Sequence, residues 1–423
     1  MHLQTLTETE IIATLVALSL LLISAYSVGT LFEKIKAPRV VGEILGGMIW
    51  GGSCLYIFFP KMVDSIFAAY SEEGKVLNIF YQLGLIFLMF LSGYNTNIEV
   101  DRKNGKIITC VLIGATVLPM FGAIPFISMF QKDYIGVLGN EVAFGIVFTI
   151  GVAITSIPVI SKIFFDMGIM NTTFSNTVLT VATLQDLCLW ILLNAATRIA
   201  TTGEVKFVDM MVVVIVTLGL FIAVKVISDH TKEWKRQLKP IHFYSISFTV
   251  LLMVCGVLSL FGINIMYSAF LVGYVLKAVV GYHDESKAKM DALGNFAFSF
   301  FIPIYFALVG IQLNVINGFS FLRFALFFVI AFGLEAAGTL IMLVFTNLTA
   351  ISKINFAVTM NARGGPGIVL ATVAYANGII SLEFFTVLIL TTMLSSLIAG
   401  YWLRLQQKKD ADVFMVLTKP EKK

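Results

Sequence analysis

Apolar residues along this chain come in uninterrupted runs of roughly 20, separated by short stretches where charged and turn-forming residues collect. A run of that length crosses about 30 Å of hydrocarbon as a helix. The pattern predicts thirteen spans, at about 11–32, 40–59, 76–94, 107–130, 142–163, 175–200, 207–228, 242–262, 264–281, 291–315, 320–346, 354–378 and 382–403. Runs five and twelve are interrupted by Gly and Pro. The fold class this implies is an all-α, multi-pass integral membrane protein. Its transmembrane domain covers 1–405, and a short charged tail follows over 406–423.

A repeat underlies the pattern. "FLSGYNTNI" at 90–98 matches "ALVGIQLNV" at 307–315, which sets Gly93 on Gly310 and Asn97 on Asn314. "TSIPVISKIFFDMGIM" at 155–170 pairs with "RGGPGIVLATVAYANGII" at 363–380, which sets Pro158 on Pro366. In each pair seven spans separate the two copies, and an odd number inverts the second copy in the membrane. Inverted repeats that contain broken helices mark secondary transporters.

Composition agrees. The chain is 58% hydrophobic and 13% charged, against about 25% charged in a soluble domain. That excludes a soluble enzyme, and nothing suggests a nucleic-acid partner; the lipid bilayer is the expected surrounding. With the N-terminus outside, 22 of the 29 Lys and Arg fall on the inner side, among them Lys34, Lys36, Arg39, Arg102, Lys103, Lys106 and the "KEWKRQLK" stretch at 232–239. Positive residues favour the cytoplasm, so the N-terminus is expected outside and the C-terminus inside a plasma or bacterial inner membrane. Cys54, Cys110, Cys188 and Cys255 stand singly in apolar runs, and His2, His230, His242 and His283 lie at the N-terminus or in or beside loops. Neither set has metal or haem spacing, so no cofactor is expected. The first run lacks a basic flank and a small-residue cleavage site and reads as a retained span.

Run six carries "TVATLQDLCLW", with Asp186 about 11 residues in, roughly 16 Å deep. A carboxylate at that depth is costly and marks a functional site. In low dielectric it needs a compensating partner, and either a proton or a metal cation serves. That competition is the minimal chemistry of cation/proton exchange. Gln185 precedes it, and Thr183 lies three residues back on the same face. In run five, Pro158 removes a backbone donor and frees a carbonyl, while Thr149, Thr155 and Ser156 add hydroxyls. In run twelve, Gly364, Gly365, Pro366 and Gly367 predict unwinding, with Arg363 at the break to neutralise carbonyl ends or pair with an acid. Irregular backbone at membrane depth survives only in the protein interior or beside water. Two such breaks, crossing, would offer half-helix ends around a cation. Glu335 falls near the middle of run eleven beside Gly333, Ala336, Ala337 and Gly338 and is a candidate second titrating group. Glu43 lies near the inner end of run two, as a structural or rim residue.

"VVGEILGGMIWG" (40–51), "LGLIFLMFLSG" (83–93), "TSIPVISKIFFDMGIM" (155–170), "LQD" (184–186) and "ARGGPGIVLATV" (362–373) together resemble the monovalent cation:proton antiporter-2 family, over about 10–405. The resemblance implies the sodium/proton antiporter-type fold and a homodimer. A dimerisation layer would flank a core with two crossed broken helices, the core holding about 76–200 and 291–403. The family's ion-binding aspartate falls on Asp186. Many sodium-transporting members have Asn or Asp at the preceding position. Gln185 with Asp186 is similar to the potassium efflux branch, which favours potassium over sodium. Two departures stand out. The basic residue that many members carry in run eleven aligns with Glu335, reversing the charge and leaving the family's coupling scheme open. The nucleotide-binding domain of potassium efflux members has no counterpart, so such regulation would need a separate subunit. The expected activity is exchange of a monovalent cation for protons by alternating access at Asp186, Gln185, Thr155, Ser156 and Thr183. A gated cation channel, an organic-anion symporter with Arg363 holding a carboxylate, and an ion-sensing receptor are the alternatives.

Overall fold

Caps and breakers fix where the runs become helices. The computed structural model describes residues 5–95, 104–170, 172–203, 219, 240–261, 263–280, 284–316, 318–410 and 412–415. Run seven (207–228), the 232–239 stretch, Asn97 and the tail beyond 415 lie outside the described residues. The first helix, α1 (Glu8–Lys34), opens on a capping box in which Thr7 and Glu10 each bond the other's backbone N–H. It is followed by α2 (Arg39–Met48), α3 (Glu73–Asn95), α4 (Gly105–Tyr134), α5 (Glu141–Val152) and α6 (Ile157–Asp166). Next come α7 (Thr173–Thr202), α8 (Pro240–Leu260), α9 (Ile265–Val280), α10 (Asp284–Ser299) and α11 (Phe301–Gln312). The last are α12 (Phe321–Leu343), α13 (Ala350–Met360), α14 (Gly365–Ala376) and α15 (Leu382–Lys409). Every expected run other than the seventh thus has a helical counterpart. Among the described residues nine helices are long and apolar enough to cross a membrane, and the protein is an all-α, multi-pass integral membrane protein.

Two expected runs are less regular than their hydropathy. The first helix of run two ends at Met48, because Gly51, Gly52 and Ser53 follow; the short helix Leu55–Phe58 closes the run, and Pro60–Phe67 lies just beyond it. Run ten divides at Phe300 into α10 and α11: Pro303 has no N–H to offer the Ser299 carbonyl.

Contacts divide the chain into two compact units, Met1–Asn95 with Thr217–Phe319, and Thr96–Val216 with Ser320–Lys423. Residues 76–95 and 291–315, which the resemblance assigns to the core, pack in the first unit. Within that unit the helices approach at glycines. A Cβ at Gly93 of α3 would collide with the Phe270 carbonyl of α9, and one at Gly310 of α11 with the Ile44 carbonyl of α2. Small residues let helix backbones close to that distance. Helix α3 therefore meets α9 as α11 meets α2, an exchange of partners that two inverted copies produce.

The second unit is built around two interruptions, at 153–156 between α5 and α6 and at 361–364 between α13 and α14. Gly114 of α4 and Gly338 of α12 bring the fourth and eleventh runs into backbone contact. One end of the unit is filled by the rings of Phe130, Tyr134, Phe144, Phe148, Phe327 and Phe384. There the Gly136 N–H donates to Ile379 O (2.9 Å) and the Ser381 N–H to Tyr134 O (2.9 Å). The other end holds an apolar cluster that includes Ile160, Phe164, Phe174, Phe356 and Leu403. The expected tail from 406 begins inside α15, and Val413 and Phe414 belong to that cluster rather than to solvent.

Candidate functional site

The site grows out of backbone that proline leaves unpaired. Pro158 has no N–H for the Ile154 carbonyl, and Pro366 none for that of Ala362. The Ala362 carbonyl instead accepts from the Ser156 N–H, at 2.8 Å. This backbone bond joins the two breaks. Ser156 also starts α6, its hydroxyl accepting from the Val159 N–H. Gly364 starts α14 with no side-chain cap, and any Cβ there would run into Ser156 and Val159. The breaks are thus crossed and in contact, and the glycine is required by that approach.

Both helices that end at the crossing present carbonyls. Thr155 Oγ1 lies 2.6 Å from the carbonyl of Met360, the last residue of α13, and 3.2 Å from Glu335 Oε1. Arg363 Nη2 donates to the carbonyl of Val152, the last residue of α5, at 2.7 Å, and to Glu335 Oε2 at 2.9 Å. Arg363 therefore neutralises a helix C-terminus and pairs with an acid at once. Arg363 and Glu335 are 1% and 0% exposed, so neither charge is compensated by bulk water. Each compensates the other, and as a pair they add no net charge to the crossing.

On α7, Gln185 Nε2 donates to Ala153 O at 2.7 Å, inside the first break, and to Ala115 O on α4 at 3.0 Å. Two carbonyl acceptors fix which end of the amide is nitrogen. They leave Oε1 with no partner among the described residues. The Ala115 carbonyl is free because Pro119, four residues on, cannot donate to it, within a π-helical turn over Ile113–Val117. Asp186 is 1% exposed, and among the described residues neither of its carboxylate oxygens has a hydrogen-bond partner. A buried carboxylate in that position requires a proton or a cation.

The structure brings Thr155, Ser156, Gln185, Glu335, Arg363 and Gly364 into one connected crossing, with Gly365 and Pro366 opening α14 beside it. Asp186 adjoins it through Gln185 and makes no hydrogen bond to Glu335. Thr183 is buried one turn earlier and makes none of the crossing's hydrogen bonds among the described residues. Glu43 belongs to the first unit, buried and paired with Arg39 at 2.7 Å. The sequence reading missed the part played by α4. Pro119 inside an apolar run was the available signal for a freed Ala115 carbonyl. No group of three or more His, Cys, Asp or Glu suited to a resident metal occurs among the described residues.

Comparison with known proteins bears on what this arrangement does. The family described as "Sodium/hydrogen exchanger, transmembrane" matches residues 18–406. Cation/H(+) antiporter 15 of Arabidopsis thaliana is 25% identical over 86% of this chain and 44% of its own length. The Na(+)/H(+)-K(+) antiporter GerN of Bacillus cereus is 23% identical over 90% of this chain and 93% of its own. The chain thus spans less than half the length of the plant relative and nearly all of the bacterial one. The solved structure of the sodium proton antiporter MjNhaP1 from Methanocaldococcus jannaschii superposes with a TM-score of 0.64. That superposition covers 94% of this chain and 97% of the other at 12% identity, a likeness of fold.

Proposed function

The chain belongs to the sodium/hydrogen exchanger family, and we propose that it exchanges a monovalent cation for protons by alternating access, with Asp186 holding one and then the other. The observation that carries this reading is the pair of buried Asp186 carboxylate oxygens, which have no hydrogen-bond partner among the described residues, one position along α7 from Gln185, whose Oε1 also has none. These three oxygens are the cation ligands, and a proton on Asp186 replaces the cation. Gln185 contributes as a neutral oxygen held in place by Ala115 and Ala153. One negative charge with weaker neutral donors suits potassium, which sheds its water more readily than sodium. The relatives' names mention both ions.

Stoichiometry follows from charge. Glu335 is compensated by Arg363 at 2.9 Å, so Asp186 alone takes up and gives off a charge. One proton crosses in one direction for each cation that crosses in the other, and exchange is electroneutral. In this proposal Glu335 serves as the counter-charge of Arg363, and the exchange does not require it as a second titrating group. Thr155 acts through its hydroxyl on the Met360 carbonyl and Ser156 through its backbone N–H on Ala362, and both hold the breaks together. The N-terminus outside and the C-terminus in the cytoplasm, and a homodimer, belong to the same proposal.

The test is purified protein in liposomes with an imposed pH gradient, to which potassium, sodium, rubidium or lithium is added while internal pH is followed. Collapse of the gradient by potassium in preference to the others is expected. Absence of a response to every cation, from folded protein, contradicts the proposal.

A further inference from the structure

The chain beyond α15 turns back into the protein. Asp410 ends the helix, and its Oδ1 accepts from the Asp412 N–H at 3.0 Å. The Met415 N–H then donates to Asp412 O at 2.8 Å. The turn points Val413 and Phe414 inward while Met415 stays exposed. Phe414 is 0% exposed. Its ring centroid lies 5.0 Å from that of Phe174. Phe174 in turn lies 4.6 Å from Phe356 and 5.7 Å from Phe164.

The socket is made by three of the helices that carry the candidate site. Phe174 stands in the first turn of α7, the helix of Gln185 and Asp186. Phe356 stands in α13, which ends just before Arg363. Phe164 stands in the last turn of α6, which Ser156 caps. The strap end of α15 is tied to the same place twice more. Gln407 Nε2 donates to Met167 O at 2.8 Å, and Arg404 lies 3.6 Å from Asp166. A helix is a stiff rod, and the 12 residues from Phe174 to Asp186 span about 18 Å. A displaced first turn is therefore felt at the carboxylate.

We propose that Asp410–Met415 is a docked strap, anchored by Phe414, which holds the ends of α6, α7 and α13 in register and thereby sets cation affinity at Asp186. Undocking it weakens that affinity, and whatever follows residue 415 is connected to the site through this anchor. The effect on affinity rests on the reading of Asp186 as the exchange site. Phe414 is a positioning residue: it touches no transported ion and acts through Phe174 and Phe356.

The experiment compares the full chain with Phe414→Ala and Phe414→Leu, reconstituted, in two measurements. Amide hydrogen exchange over 404–415 and 173–186 reads docking, and cation-driven proton flux reads KM and kcat. Phe414→Ala is expected to speed amide exchange in both segments and to raise the cation KM about fivefold or more, with kcat within about twofold. Phe414→Leu refills the socket and restores both. Fast amide exchange with an unchanged KM overturns the link to the site. Unchanged amide exchange in Phe414→Ala overturns the strap itself. An equal fall in kcat and folded protein in both variants reduces Phe414 to a packing residue and overturns the proposal. Wild-type protein that shows no exchange of any cation fails the reading of Asp186, and the affinity claim with it. Hydrogen exchange then still reports separately whether the strap docks.

Discussion

At the scale of the residue, three buried polar groups have different fates because their surroundings differ. Asp186 was visible in the sequence as an acid inside an apolar run. The same signal marked Glu335, and although the resemblance put the ion-binding role on Asp186, the sequence did not say which acid Arg363 pairs with. What separates them is Arg363, 28 positions from Glu335 along the chain and 2.9 Å from it in space. Pairing of that kind is a property of the crossing, which local pattern does not encode. The distinction has consequences. Removing one partner of a buried pair leaves an uncompensated charge, at a cost of about 3–5 kcal/mol. Glu335→Gln alone should therefore lower the thermal unfolding midpoint in detergent well below that of wild type. Glu335→Gln combined with Arg363→Met should recover most of the loss. If the double variant is as unstable as the sum of the singles, the pair is not coupled. Competition at Asp186 has a sign as well. In the proposed function protons and cation share one carboxylate, so the apparent KM for the cation should rise as pH falls on the side where the cation binds, by up to about tenfold per pH unit. A KM independent of pH over several units would show that the two ligands do not compete.

At the scale of the element, the helices were legible to the extent that each break leaves a local mark. Pro158 and the Gly364–Gly367 stretch announced the two interruptions, and the observed half-helices end and begin beside them. The early end of α2 and the division of run ten were hidden, because hydropathy averages over a few Gly, Ser or Pro residues in an otherwise apolar stretch. The π-helical turn in α4 was hidden for a further reason: register within a helix shows only when a side chain from elsewhere uses it. Two substitutions test this level. Gly364→Ala places a methyl group against Ser156 and Val159 and should abolish exchange by forcing the breaks apart; normal transport in that variant would show that the crossing tolerates separation. Pro119→Ala gives the Ala115 carbonyl a donor in its own helix, in competition with Gln185. The cation KM should rise about threefold or more with little change in stability, since the helix itself gains a hydrogen bond. An unchanged KM would mean that the Ala115 bond does not orient Gln185.

At the scale of the whole molecule, the inverted repeat organises both units. It was readable because Gly93 and Gly310, and Pro158 and Pro366, occupy matching places, and close helix approach and freed carbonyls demand those residue types. The burial of Phe414 was not readable. A charged tail with one short apolar patch looks the same whether that patch is docked or free, and only the socket of Phe174, Phe356 and Phe164 decides between them. Every residue of the crossing and the strap lies in the second unit, and in the proposed function Asp186 is the one carboxylate of the crossing left to be exchanged. Transport through it should be insensitive to membrane potential, and a current that follows imposed voltage during exchange would require a second titrating group.

The most direct test of the central claim is potassium-driven proton flux through purified, reconstituted Asp186→Asn beside wild type, with folding checked by thermal unfolding. Asparagine keeps the size and one oxygen but holds neither the negative charge nor the exchangeable proton. The account predicts a folded protein with no coupled flux. Wild-type flux from Asp186→Asn would show that cation and proton meet elsewhere, and that this buried carboxylate is a structural element of the helix that carries it.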